Sequence, residues 1–145
     1  MTNRTLQWLT FWCVYTGSIG ALMVLGAYPP LDWPMRLLVD LVFWPLDGQP
    51  WPISREAKLL TGIGGAMLMA WSLILAWLFR RGFANGDRDA LGIAQTSLWV
   101  WYVVDSVHSI AVGAPLNAVL NTAILAGFAI PLWLTRQAST AQPAE

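Results

Sequence analysis

Four predominantly apolar runs, at 6–28, 57–79, 90–112 and 116–134, constrain this chain more than any other feature. A helix rises about 1.5 Å per residue, so about 20 residues cross a hydrocarbon core of about 30 Å. Backbone amides in hydrocarbon must be satisfied within the segment, and runs of this length without strict alternation achieve that as helices rather than barrel strands. The expected fold is all-α, an integral membrane four-helix bundle.

Composition agrees. Hydrophobic residues make up 57% of the 145 and charged residues 11%, too apolar a balance for an ordinary soluble domain. The length suits one domain, read as a four-span unit over 1–135 followed by a small, polar, disordered cytoplasmic tail over 136–145. Eight basic and eight acidic side chains cancel and form no basic run, which argues against nucleic acid as a partner. The single cysteine, Cys13, excludes an intrachain disulfide and CxxC redox chemistry. The first run is longer than the 7 to 15 residues or so of a signal-peptide core and carries Trp8, Trp12 and Tyr15, so it reads as a retained anchor.

Orientation follows from the basic residues beside the runs. Arg4, Arg80, Arg81, Arg88 and Arg136 would lie on one side, and Arg36, Arg55 and Lys58 on the other. The positive-inside rule then places both termini in the cytoplasm of a cell with the chain in its inner (plasma) membrane. Trp8, Trp77 and Trp133 would mark the inner interface and Trp33, Trp44 and Trp51 the outer one.

The connection YPPLDWPMRLLVDLVFWPLDGQPWPIS is too long and apolar for a plain loop. Within it MRLLVDLVFW would make a helix of only about 15 Å, too short to span, and therefore interfacial or re-entrant between the first two spanning helices. Arg36 and Asp40 are four apart and suited to pair, while the flanking prolines stiffen the approaches. Such a segment suits a lid over the outer end or a connector resting on the membrane. Ser54 suits a cap for the next helix. RRGFANGDRD reads as a solvated inner turn.

Small residues four apart, Gly17 with Ala21 and then Gly62, Ala66 and Ala70, offer seams for close helix packing, within the chain or in a homo-oligomer. The polar groups concentrate elsewhere. In WVWYVVDSVHSIAVGAPLNAVLN, Gly113 and Pro115 make a tight turn between two antiparallel helices. Asp105, His108 and Ser109 are spaced three and four apart on one side, with Asn117, Asn121 and Thr122 on the other as a polar cluster.

Ionisable groups inside a membrane are candidate sites for a ligand or a proton. An aspartate and a histidine one turn apart suit a proton relay. Two such ligands fall short of the three or four that zinc needs, one histidine is thin support for haem, and no cofactor is expected. Ser106 or Ser109, His108 and Asp105 share one helical turn and point roughly parallel, which does not converge into a catalytic triad. The competing reading is an interhelical clasp of hydrogen bonds at about 1 kcal/mol each.

With FWPLDGQP, TGIGGAMLMAW, WYVVDSVHSIAVG and LNAVLNT in view, the chain resembles an uncharacterised family of small four-span bacterial inner-membrane proteins, over about residues 8–132. The resemblance implies the membrane fold and no activity. Vitamin K epoxide reductase-like proteins need cysteine pairs, and small multidrug exporters use an acidic residue in the first helix, which this chain lacks. The expectation is a binding, scaffold or accessory protein, in contact with the lipid bilayer and with a membrane-protein partner or a second copy. The alternatives are a proton-coupled transporter or channel using Asp105 and, more weakly, a lipid-active membrane enzyme.

Overall fold

Apolar runs make the helices, and the punctuation between them decides where each one stops. The computed structural model describes residues 3–48 and 53–140, with side chains as far as Leu134. Its helices are α1 (Asn3–Leu25), α2 (Trp33–Val42), α3 (Arg55–Asn85), α4 (Arg88–Ala111) and α5 (Pro115–Thr140), with no strand among the described residues. Trp51, the side chain of Arg136 and the tail residues 141–145 lie outside the description.

Three helices are long and apolar enough to cross a membrane: α1, α3 and the Pro115–Leu134 part of α5. The fourth expected span is present as α4, 24 residues long, but on composition it does not qualify. Gln95, Thr96, Ser97, Asp105, His108 and Ser109 interrupt its apolar surface. In the three qualifying spans, between 17% and 28% of the most apolar stretch is buried. Leu59, Leu60, Met67 and Leu73 of α3 are all more than 60% exposed. Apolar surface on this scale calls for lipid rather than water.

Helix α1 lies along α3, α3 against α4, α4 against α5, and α5 returns to α1, while α2 leans on α5 and α1. The α1–α3 seam closes at Gly20 and Gly65. A Cβ on Gly20 would stand 2.6 Å from the Gly65 carbonyl oxygen, and one on Gly65 2.5 Å from that of Gly20. The closest approach thus falls at small residues other than those the spacing singled out. Gly17 makes only ordinary contact, 3.4 Å to Ser72 Cβ, and Ala21 is half-buried, whereas Gly62 meets open space and Ala66 and Ala70 are exposed. Successive helical residues turn by about 100°. The buried face of α3 carries Gly65, Ser72, Leu75 and Phe79, and the 62–66–70 stripe is rotated outward from it.

Toward the N-terminal end of α1 the core is aromatic. Phe79 stacks on Phe128 with centroids 5.9 Å apart. Trp12 fills the space above Gly127, where a Cβ would come within 2.2 Å of the indole. Trp8 Nε1 donates to the Gly127 carbonyl at 2.9 Å, so α1 and α5 are held at one level by two tryptophans.

Most of the connection RRGFANGDRD is helical, which leaves Gly86 (φ +66°) and Asp87 to make the turn. Asp87 caps α4 by accepting from the Ala90 N–H at 3.0 Å and binds Arg81 Nε at 2.6 Å. Ser54 caps α3 through the Ala57 N–H as expected. In α2, Arg36 Nε donates to Asp32 at 2.9 Å, while Asp40 accepts the Gly48 N–H at 2.9 Å and ties down the following loop. The residues after the last span, read in the sequence as disordered from 136, continue α5 to Thr140. Arg, Gln and Ala there are good helix formers that extend a helix already nucleated.

Candidate functional site

The turn between α4 and α5 forms as its residues dictate. Gly113 takes φ +83°, its N–H reaches the Ile110 carbonyl at 3.1 Å, and the Ala114 N–H reaches that of Ser109 at 2.8 Å. Pro115 opens α5, where its missing N–H costs nothing. The helices are therefore antiparallel neighbours, and their polar side chains meet in steps below the turn.

In the first step Asn117 Nδ2 donates to Ser109 Oγ at 2.8 Å and to Asp105 Oδ1 at 3.3 Å, and Ser109 Oγ donates to the same Oδ1 at 3.2 Å. Deeper, buried Asn121 Nδ2 donates to buried Ser106 Oγ at 3.4 Å. Last, the Tyr102 hydroxyl and Thr122 Oγ1 are 3.1 Å apart, and Thr122 also donates to the Ala118 carbonyl at 2.8 Å.

The expected cluster is therefore partly assembled. Asp105, Ser109 and Asn117 come together; Asn121 serves Ser106 instead of Asp105, and Thr122 serves Tyr102. His108 stands apart, exposed, its imidazole without a hydrogen bond among the described residues. The reason is angular. Positions 102, 105, 106 and 109 span about 100° of helix surface centred on α5, whereas 108 is rotated about 110° from that centre. A relay from Asp105 to His108 is not built. Among the described residues no three of His, Cys, Asp or Glu gather as metal ligands.

Asp105 Oδ1 accepts two hydrogen bonds, and Oδ2 accepts none among the described residues. The carboxyl borders a cavity of ≈ 770 Å³ walled by α1, α2, α4 and α5, with Leu68 of α3 at its edge. Its lining is apolar and aromatic, with Trp12 and Tyr15 from α1, Trp101 from α4 and Leu38 from α2, plus the amides of Asn117 and Asn121. Asp105 is the one charged side chain among the described lining residues, and no Lys or Arg accompanies it. Trp12 Nε1 is buried with no hydrogen-bond partner among the described residues.

A second space, a groove of ≈ 1160 Å³ along α3 and α4, runs from Arg88 and Asp89 up to Asp105. Met23, Leu68, Trp101 and Asp105 border both spaces. Trp101 was legible in the sequence, four residues before Asp105 and hence on its face. Trp12 and Leu38 carried no such signal, since nothing local tells which side of α1 or α2 turns toward α4.

Comparisons with known protein families, with curated proteins and with solved structures each find no match.

Proposed function

We propose that the chain is a four-span inner-membrane binding protein, with both termini in the cytoplasm, whose ligand occupies the cavity beside Asp105. α4 is its fourth span, carried across by its outward apolar residues while Tyr102, Asp105, Ser106 and Ser109 face α5. α2 lies at the outer interface and roofs the cavity. Exposed Trp33 and Trp44 near α2, and exposed Trp8, Trp77 and Trp133 at the opposite end, support two aromatic belts.

The observation that carries this reading is the half-used carboxyl. A clasp needs hydrogen bonds and no charge: Asn117 with Ser109 and Asn121 with Ser106 already join the hairpin. An asparagine at 105 would accept the same two bonds at much lower desolvation cost. The carboxyl, with Oδ2 left over among the described residues, is surplus to packing and borders a cavity large enough for a small molecule. Filling that cavity tests the proposal. Leu38→Trp, on the exposed roof helix, should abolish retention of any cavity ligand when the protein is released from native membrane into a mass spectrometer. Equal retention by wild type and variant sinks the reading.

A proton-coupled transporter is the second reading, favoured by the wall that Met23, Leu68, Trp101 and Asp105 form between groove and cavity. Flexible side chains at such a wall suit a gate on a carboxyl reached from either side. Proteoliposomes with a pH gradient should then show a flux that Asp105→Asn abolishes; identical leak in wild type and variant removes this option.

A further inference from the structure

We infer that the ligand is an organic cation with an apolar body, an alkylammonium-like group held at Asp105 Oδ2; this rests on the binding reading above. Charge is the first argument. A carboxylate bordering an apolar space gains from a counter-charge, and the described walls of this cavity supply none. The nearest basic residue on either lining set is Arg88, seventeen positions away along α4 at the far end of the groove. At about 1.5 Å per residue that is about 25 Å, far beyond pairing distance.

The walls supply the second argument. Trp12, Tyr15 and Trp101 border the same space as the carboxyl. Aromatic faces attract cations, and most effectively weakly hydrated ammonium groups in desolvated surroundings. A small inorganic cation fits poorly, because calcium takes about six to eight oxygen ligands and magnesium keeps its waters, whereas this cavity offers one carboxyl amid hydrocarbon. An anion would meet Asp105 with no compensating base. A neutral lipid tail would use the apolar walls and leave Oδ2 unanswered. An ammonium on an apolar chain uses both.

The test holds the tail constant and varies the head. Radiolabelled octyltrimethylammonium, octyl glucoside and octyl sulfate carry charges of about +1, 0 and −1 at neutral pH on one chain length. Their binding to the full chain in zwitterionic nanodiscs is measured after subtracting partition into empty nanodiscs. Saturable binding of the ammonium, about tenfold tighter than either other head, is the expected result in wild type and needs no variant. Asp105→Asn should reduce the ammonium to the affinity of the glucoside, and Leu38→Trp should eliminate all three. Equal affinity for the three heads, or an ammonium preference that survives Asp105→Asn, overturns the cation inference while leaving a cavity that binds tails. Absence of saturable binding for every head overturns the binding reading and the inference together.

Discussion

Two helix pairs in this protein are built on opposite principles. Between α1 and α3, glycines remove side chains so that Gly20 and Gly65 bring backbone to backbone. Between α4 and α5, side chains cross the gap, with Asn117 and Asn121 reaching Ser109, Asp105 and Ser106. Among the described residues the first pair crosses backbone on backbone at Gly20 and Gly65, while the second leaves a carboxylate oxygen over on a residue that borders a cavity. Tight backbone contact specifies packing and nothing else; a polar seam can hold two helices and still present chemistry.

The contrast can be broken most forcefully at Gly65. Gly65→Val places atoms against the Gly20 carbonyl, which cannot move without moving α1, so the unfolding free energy in mixed micelles should fall by about 3 kcal/mol. If the variant is as stable as wild type, the crossing is not where the structure has it. On the polar side Asn117→Ala removes two hydrogen bonds, and because such bonds average about 0.6 kcal/mol in membranes the loss should be about 1 kcal/mol. A loss as large as that of Gly65→Val would mean that polar and backbone seams are equivalent.

Gly62→Ala sharpens the first half of the comparison, because a Cβ there meets nothing within 4 Å. Replacing the poorer helix former should give a gain of at most about 1 kcal/mol; destabilisation would show that this outward stripe is covered in the membrane.

The smallest effect belongs to the turn between α3 and α4, which neither seam controls. The Ala90 N–H first, and the Arg81 guanidinium second, hold the Asp87 carboxyl below its ordinary value of 3.8. A depressed folded value means that the stabilisation is present above the unfolded value and disappears as pH falls through the folded one. Asp87→Asn keeps a cap without the charge. Wild type should therefore be slightly more stable at neutral pH, with the difference closing below the lowered value and shrinking in salt. A difference that persists in strong acid would implicate shape rather than charge.

Much of the architecture was readable residue by residue. Run length called for helices at all four apolar segments, the short helix expected over 35–44 appears as α2 two residues earlier with Pro34 in its first turn, and Gly113 with Pro115 marks the turn that aligns α4 with α5. Asp105, Ser109 and Asn117 were named together and meet. Two kinds of expectation did not carry over. Spacing alone grouped His108 with Asp105, although three residues is a 60° rotation and here it turns the imidazole outward. Small-residue spacing picked Gly62, Ala66 and Ala70, one step around the helix from the face that packs.

The sequence by itself thus determined what is local: lengths, caps, turns and an apolarity that calls for lipid, because each depends on neighbours within a few positions. Tertiary structure decided which side of each helix faces which neighbour. That rotation placed Trp12 and Leu38 around the same space as Trp101 and Asp105, left Oδ2 without a donor among the described residues, and formed a cavity that no single segment encodes. A rotation of about 100° costs one helix almost nothing; its energy lies in the fit between helices.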